Sequence, residues 1–184
     1  SVTSLTLSAP VAGGAITADW PPVADASVVG YRLYWGTSSG NYSDYQDLGM
    51  VLTHTVGGLT NNVEYYFNLT SYYATMAESE YYGEVSETPQ DTESPAVPVN
   101  LVANAGDGQI ELSWDANIDD TVGYIVYYGT NTLVYGASHD VGNTTSAVIT
   151  GLTGGEIYYF AVSAYDSYTN ESPQSAEATA IPTP

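Results

Sequence analysis

The octapeptide Gly30-Tyr31-Arg32-Leu33-Tyr34-Trp35-Gly36-Thr37 decides the fold, because a closely similar octapeptide follows it 93 residues later. The second copy is Gly123-Tyr124-Ile125-Val126-Tyr127-Tyr128-Gly129-Thr130. Further segments repeat at the same offset: Gly58-Leu59-Thr60 with Gly151-Leu152-Thr153, Tyr65-Tyr66-Phe67 with Tyr158-Tyr159-Phe160, and Pro89 with Pro182. One register kept over so many positions indicates an internal duplication, with one structural unit in each half.

Each half consists of short segments rich in Val, Ile, Thr and Tyr that alternate in polarity between closely spaced turn residues. No segment has a convincing helical period. This pattern predicts an all-β chain of two consecutive β-sandwiches. We place the first domain at residues 1–90 and the second at residues 91–184, with a short Pro-bounded linker at the start of the second.

The chain resembles the fibronectin type III family. The resemblance rests on a strand that ends in Trp, the Gly-Tyr strand after it, and a Leu six residues before a Tyr, as in Leu59 to Tyr65 and Leu152 to Tyr158. The segment Ile110-Glu111-Leu112-Ser113-Trp114 is similar to segments in tandem fibronectin type III modules of bacterial and archaeal secreted or cell-surface proteins. The resemblance implies two immunoglobulin-like Greek-key sandwiches of about seven strands each. It also implies that the hydroxyls of Tyr65 and Tyr158 bond back to the backbone near the preceding Leu.

Strand alternation predicts which tyrosines face outward. If Tyr31, Leu33 and Trp35 point into the core, Arg32 and Tyr34 point out. The same parity places positions 65, 67 and 69 inside and positions 66, 68 and 70 outside. The resulting interface candidates, expected to form an exposed patch on each domain, are Tyr34, Tyr66, Ile125, Tyr127 and Tyr159. Exposed tyrosines suit protein contacts or sugar stacking, and cross-strand pairs that only stabilise the sheet are the alternative.

The charge balance is one-sided: 21 Asp and Glu residues face a single Arg, and the formal net charge is -20. This excludes nucleic acid and anionic membrane surfaces as partners, because binding to phosphate depends on Lys and Arg. The carboxylates cannot be paired internally, so they depend on solvent cations or salt to be held close together. Saline or calcium-containing surroundings are therefore expected.

Acidic residues gather in the linker and in two loops of the second half. The stretch Asp115-x-Asn117-x-Asp119-Asp120 begins like a calcium loop but lacks the Gly and the bidentate Glu of an EF-hand. A type III fold would place this loop, the loop that begins at Asp166, and the linker at one pole. The expected cofactor at this pole is calcium, and its predicted ligands are Asp91, Glu93, Asp115, Asn117, Asp119, Asp120 and Asp166. Solvated loop acids without a metal are the alternative.

Four Asn-x-Ser/Thr sequences are candidate N-glycosylation sites: Asn41, Asn68, Asn143 and Asn170. All four fall on predicted loops or on outward strand positions. Whether they carry sugar depends on the organism.

Catalysis has little support in the sequence. His54 and His139 do not occupy matching positions of the repeat, and no Gly-rich turn surrounds a Ser nucleophile. Some pair among 21 carboxylates will always lie at glycosidase distance, and a pair means nothing without a cleft. We therefore expect no enzymatic activity.

The expected location is extracellular or cell-surface, without direct membrane insertion. No apolar run approaches the roughly 18 residues that a membrane span needs. The first residue is Ser rather than Met, which fits a mature exported chain and equally an excised fragment.

These features favour a non-catalytic structural or adhesive protein, a self-assembling subunit of a surface filament or layer. Its partners would be copies of itself or other extracellular proteins. The alternative is a spacer or carbohydrate-binding accessory module of a larger secreted enzyme, with polysaccharide as partner. A ligand-binding receptor ectodomain is a third hypothesis with less support.

Overall fold

The computed structural model describes residues 2–184, which form two compact units that divide between Thr92 and Glu93. We call these units the first and second domains. The division falls two residues after the boundary expected from the sequence. Over residues 2–184 no helix is long and apolar enough to cross a membrane.

The first domain is a sandwich of two antiparallel sheets. Its seven strands are β1 (Thr6–Ser8), β2 (Ala15–Asp19), β3 (Val28–Gly36), β4 (Asp44–Asp47), β5 (Thr53–Gly57), β6 (Tyr65–Tyr73) and β7 (Val85–Glu87). One sheet has the order β1-β2-β5 and the other the order β4-β3-β6-β7.

The second domain repeats this architecture. Its strands are β8 (Val102–Gly106), β9 (Gln109–Ser113), β10 (Gly123–Gly129), β11 (Ala137–Gly142), β12 (Ser146–Thr150), β13 (Tyr158–Tyr165) and β14 (Ala178–Ala180). The sheets have the orders β12-β9-β8 and β11-β10-β13-β14. The predicted pair of seven-stranded Greek-key sandwiches is confirmed.

The core lies between the two sheets of each domain, where alternate side chains meet. In the first domain Tyr31, Leu33, Phe67 and Leu69 are fully buried, as the predicted strand parity requires. The second domain buries the corresponding side chains Tyr124, Val126, Phe160 and Val162. Each core also holds the Trp that follows the second strand, packed edge-on against a Tyr: Trp20 on Tyr31 at 5.7 Å and Trp114 on Tyr124 at 5.5 Å between ring centroids.

The two predicted tyrosine corners are confirmed. The backbone N–H of Thr60 donates a hydrogen bond to the Tyr65 hydroxyl at 3.1 Å. Thr153 and Tyr158 repeat this bond at 3.2 Å. Each bond fixes the loop that leads into the long strand β6 or β13, so both copies of the repeat enter that strand in the same way.

Candidate functional site: an aromatic cluster on the first domain

An acidic segment runs beside the long strand of each four-stranded sheet, and we call it the bridging segment. It spans residues 78–84 in the first domain and 171–177 in the second. In the first domain it hydrogen-bonds to β6, since the N–H of Ser79 donates to the Ser71 carbonyl and that of Tyr82 to the Leu69 carbonyl. The segment thereby brings its acidic side chains to the outer face of the sheet.

Glu78 holds three outward side chains of that face together. Its carboxylate accepts hydrogen bonds from the Tyr34 hydroxyl at 2.6 Å and the Thr70 hydroxyl at 2.7 Å, and it also binds the Arg32 guanidinium. Burial, followed by the hydrogen bond to Glu78, raises the pKa of Tyr34. The face is therefore a connected polar network.

Glu84 holds the β3–β4 loop against the end of the same bridging segment. It accepts hydrogen bonds from the Ser39 hydroxyl and the Gly40 N–H, both at 2.6 Å, and from the Tyr42 hydroxyl at 2.8 Å. These bonds, with that of Ser39 the largest, lower the pKa of Glu84. A carboxylate that accepts three bonds in this way fixes the position of Tyr42.

The second domain repeats both carboxylate positions. Glu171 accepts bonds from Tyr127 at 2.5 Å and Ser163 at 2.6 Å. The corresponding bonds to Glu177 come from the Thr132 hydroxyl, the Leu133 N–H and the Tyr135 hydroxyl. The network is thus part of the shared scaffold of both domains.

The structure differs from the predicted exposed patch, because the bridging segment covers part of the outer sheet face. Side chains at Tyr34, Tyr66, Ile125, Tyr127 and Tyr159 are half-buried rather than exposed. Two side chains expected on the surface, Asn68 and Thr70, are buried, because the bridging segment and Tyr42 cover them. The parity of these strands is as predicted, but parity does not reveal what covers a sheet face. The interface role of the five residues stays a prediction.

The exposed aromatic surface of the first domain lies instead around two tyrosines that the sequence did not single out. Tyr45 on β4 is 61% exposed, and Tyr81 in the bridging segment is 50% exposed. Tyr81 meets the rings of Tyr34 and Tyr42 edge-on, with centroids at 5.2 and 5.6 Å. The ring of Tyr45 lies 5.8 Å from that of Tyr34. We call Tyr34, Tyr42, Tyr45 and Tyr81 the aromatic cluster.

The sole Arg of the protein, which has no Lys, supports this cluster. Arg32 lies over the Tyr45 ring at 4.8 Å and forms ion pairs with Asp47 and Glu78. The hydrogen bond with Asp47, more than any other contact, raises the pKa of Arg32. Arg32 is therefore engaged within the domain and positions Tyr45 through a cation–π contact.

The second domain has only part of the cluster at the equivalent positions. Tyr127 and Tyr135 repeat the Tyr34–Tyr42 pair at 6.3 Å. Ser138 and Gln174 stand where the first domain has Tyr45 and Tyr81, and Ile125 stands in the place of Arg32. The two exposed rings of the aromatic cluster are consequently specific to the first domain, and the equivalent positions of the second domain supply an internal control.

The Tyr135 hydroxyl predicts a pH response in the second domain. Burial, together with the hydrogen bond to Glu177 and its charge, raises the pKa of Tyr135 to about 12 from an ordinary 10.0. Above pH 10 the unfolded chain releases a proton that the folded domain retains until about pH 12, so stability falls across this interval. We expect Tyr135→Phe to make this fall shallower in urea unfolding followed at several alkaline pH values. An equal slope in the variant would contradict this role, and the exposed Tyr168→Phe serves as control.

The predicted calcium ligands of the second domain order its N-terminal segment. Asp119 accepts a hydrogen bond from the Ala96 N–H at 2.7 Å, and Asn117 donates to the Ala96 carbonyl at 2.6 Å. Burial acts to raise the pKa of Asp119, but its hydrogen bonds outweigh burial and the pKa is lowered. Asp115 accepts a bond from Asn100 at 2.7 Å. These side chains hold residues 96–100 against the β9–β10 loop.

Asp120 and Asp166 are two predicted ligands of the second domain whose carboxylate oxygens lie within 4.8 Å of each other. Asp120 is exposed, whereas Asp166 is 2% exposed and accepts 2.8 Å bonds from the Tyr168 and Asn170 N–H groups. Of the remaining two, Asp91 bridges to Ala12 in the first domain, and Glu93 is the first residue of the second.

Calcium binding at this pole stays a prediction with a direct test. An ion held by Asp120 and Asp166 would stabilise the folded second domain only, so calcium should raise its midpoint of thermal unfolding relative to chelator. Asp120→Asn should abolish that difference, and Glu111→Gln on an exposed sheet face should preserve it. A midpoint that does not respond to calcium would contradict the prediction.

The glycosylation candidates differ in accessibility. Asn41 and Asn143 are exposed, and Asn170 is half-buried with its amide donating to Asp166 at 2.8 Å. Asn68 is 4% exposed, and its amide donates to the Tyr42 hydroxyl at 3.0 Å. In the folded protein Asn68 is therefore not accessible to a glycosylating enzyme.

Comparison with known proteins identifies the same domain type. Residues 94–181 match the fibronectin type III domain family. The chain is 32% identical over 173 residues to chitinase A1 of Niallia circulans, a match that covers 88% of this chain and 23% of the chitinase. It is 35% identical over 102 residues to an amylopullulanase of Thermoanaerobacterium saccharolyticum, covering 53% of this chain and 8% of that enzyme. The chain thus spans less than a quarter of the length of these relatives.

A solved two-domain fibronectin type III segment of chicken tenascin has the same fold. It aligns over 98% of both chains with a TM-score of 0.59 at 17% sequence identity. The family match falls on the second domain, and the first domain repeats its strand order, its tyrosine corner and its two bridging carboxylates. The second domain therefore belongs to the fibronectin type III family, and the first domain has the same fold.

Proposed function

We propose that this chain is a non-catalytic module pair that accompanies a catalytic domain acting on polysaccharide. The observation that carries the proposal is the similarity to chitinase A1 over 88% of the chain, which amounts to 23% of that enzyme. Fibronectin type III domains are a non-catalytic module type, and the catalytic work would belong to other parts of a larger protein. An insoluble polysaccharide such as chitin is too large to enter the cell that degrades it, so the proposed location is extracellular.

The aromatic cluster of the first domain supplies the contact with polysaccharide in this proposal. Exposed tyrosine rings offer apolar faces for sugar rings and hydroxyls for their polar edges, with little loss of side-chain entropy. Glu78 and Asp47 lie beside the cluster, and the one Arg is already paired with them. The site therefore favours a neutral polymer over an anionic one.

Depletion from solution by insoluble polymers tests this function. The protein is mixed with chitin, cellulose or starch granules, and the amount left in the supernatant is measured against free concentration. We expect saturable retention on at least one neutral polymer and none on an anionic polymer such as pectate. Failure to bind any of the neutral polymers would contradict the contact and leave only a spacer role.

A structural subunit that assembles with copies of itself is the second candidate function. One observation favours it: at one end of each domain, loop residues expose apolar side chains at positions where the other domain has polar ones. This distribution has no role in polysaccharide binding by the aromatic cluster.

A further inference from the structure

Strand register defines two poles on each domain. In the first domain, Asp19 pairs with Thr53 and Val28 with Tyr73, so the β2–β3, β4–β5 and β6–β7 loops lie at one pole. We call this the N-terminal pole, because β1 also begins there, with Thr6 opposite Asp19. The C-terminal pole of each domain carries the loops at the other ends of these strands.

The N-terminal pole of the first domain exposes apolar loop residues. Met50 is 57% exposed, and the other exposed members are Val51, Leu52 and Met76. The equivalent positions of the second domain hold Asn143, Thr144, Thr145 and Thr169. The duplicated fold therefore does not itself require apolar side chains here.

The C-terminal pole of the second domain shows the opposite asymmetry. Leu133 is 75% exposed, and the other exposed members are Val134, Ile157 and Ile181. Ile157 and Ile181 continue the β13–β14 pairing by one residue, so they are cross-strand neighbours. The equivalent positions of the first domain hold Gly40, Asn41, Glu64 and Thr88.

The two apolar sets are matched in size. At their exposures each presents roughly 400 Å², within the range of about 300–600 Å² for the largest apolar patch on a typical soluble monomer, a patch that is often functional. This area is about half of the roughly 800 Å² that each partner buries in a standard protein interface, as expected for the apolar centre of one. An isolated exposed apolar residue needs no explanation, but two sets of four at positions that are polar in the other domain do.

We propose that the N-terminal pole of the first domain binds the C-terminal pole of the second domain of another copy. This pairing buries both apolar sets in a single type of contact, whereas like-with-like pairing of one pole would leave the other set in water. A heterologous contact of this kind is not self-complementary, so it gives open chains of molecules unless the rotation between copies closes them into a ring. The inference deepens the self-assembly candidate and is independent of polysaccharide binding.

The charge of the protein also favours an apolar contact between copies. Each copy carries 21 acidic residues and one Arg, and that Arg is bound by Asp47 and Glu78. Ion pairs between copies through Lys or Arg are therefore not available, and the net charge of -20 opposes association at low salt. Added salt screens this repulsion and strengthens apolar burial, so the mass of the assembly should rise with ionic strength.

Two complementary variants test the proposal. Met50→Asp/Val51→Asp disables the N-terminal pole, and Val134→Asp/Ile181→Asp disables the C-terminal pole. Molar mass is measured by sedimentation velocity across protein and salt concentrations. We expect the unaltered chain to form a concentration-dependent series of oligomers and each variant alone to stay monomeric. A mixture of the two variants should form 1:1 dimers that do not grow, because the mixture contains one intact pole of each kind.

Matched controls place charge at the equivalent polar positions of the other domain. Asn143→Asp and Asn41→Asp/Thr88→Asp should leave the oligomer series unchanged. The proposal is overturned if the unaltered chain remains monomeric at high concentration and salt. That result would indicate that flanking domains or another protein bind the two poles. The proposal is also overturned if one variant alone still dimerises, because that result shows like-with-like pairing. A monomer that binds polysaccharide would leave the proposed module function intact.

Discussion

Phe160→Ala should lower the free energy of unfolding of the second domain by about 3–5 kcal/mol and leave the unfolding of the first domain unchanged. The Phe160 side chain is fully buried between the sheets and stacks on Tyr128 with ring centroids 6.2 Å apart. Its removal deletes the apolar contacts and leaves a cavity in a core that belongs to one domain. This loss is a large fraction of the stability of a domain of this size.

Differential scanning calorimetry checks this prediction, because separate cores should give separable transitions. Only the transition of the second domain should move to lower temperature. The equivalent variant Phe67→Ala supplies the matched comparison and should affect only the first domain. If either substitution moved both transitions by the same amount, the two cores would not unfold independently.

Gly36→Ala should destabilise the first domain by about 1–3 kcal/mol, as expected for overpacking a tight site. A Cβ at Gly36 would lie 2.6 Å from the Asn41 carbonyl oxygen and 3.0 Å from the Ser43 nitrogen. These are backbone atoms of the β3–β4 loop, so the loop must shift, and Tyr42 of the aromatic cluster shifts with it. Gly129 in the second domain is enclosed in the same way, 2.7 Å from the Val134 carbonyl oxygen.

Gly57→Ala is the control for this effect, because a Cβ there would meet open space. Urea unfolding of the two variants should show a loss for Gly36→Ala and a change within about 0.5 kcal/mol for Gly57→Ala. Equal stability of both variants would show that the loop adapts freely, and the cluster would then lack the rigid support inferred from the structure.

The sequence predicts the scaffold because the scaffold depends on local rules. Alternation in the Gly-Tyr strands places Tyr31 and Leu33 in the core, and the Leu59 to Tyr65 spacing predicts a tyrosine corner that the structure contains. The offset of 93 holds from β3 onward, whereas Trp20 and Trp114 are 94 residues apart, since the first domain has one more residue between this Trp and the next Gly-Tyr pair. A repeat thus tolerates a change of loop length without a change of fold.

The exposed surface was harder to predict because it depends on long-range contacts. Asn68 has an outward parity but is buried, because the bridging segment returns over β6. Tyr45 lies in a short strand that is exposed at every position, so alternation gives no signal there. A comparison of the two halves position by position places Tyr45 and Tyr81 among the tyrosines unique to the first half, since the second half has Ser138 and Gln174 instead.

The sequence is equally limited in predicting the role of the acidic loop residues of the second domain. Composition locates Asp119 and Asp166 in loops but does not reveal that their oxygens accept backbone hydrogen bonds. A carboxylate that stabilises a loop through hydrogen bonds and a carboxylate that binds a metal ion have the same sequence pattern.

The proposed contact with polysaccharide on the first domain has one most direct test, a depletion isotherm on the polymer that retains the protein. Tyr45→Ser/Tyr81→Gln installs the residues of the second domain and removes the two exposed rings. We expect at least about tenfold weaker binding, as for the loss of aromatic anchors at an interface, with unchanged unfolding. Tyr168→Ser removes an exposed ring elsewhere and should bind like the unaltered chain. An unchanged isotherm for the double variant would contradict the account.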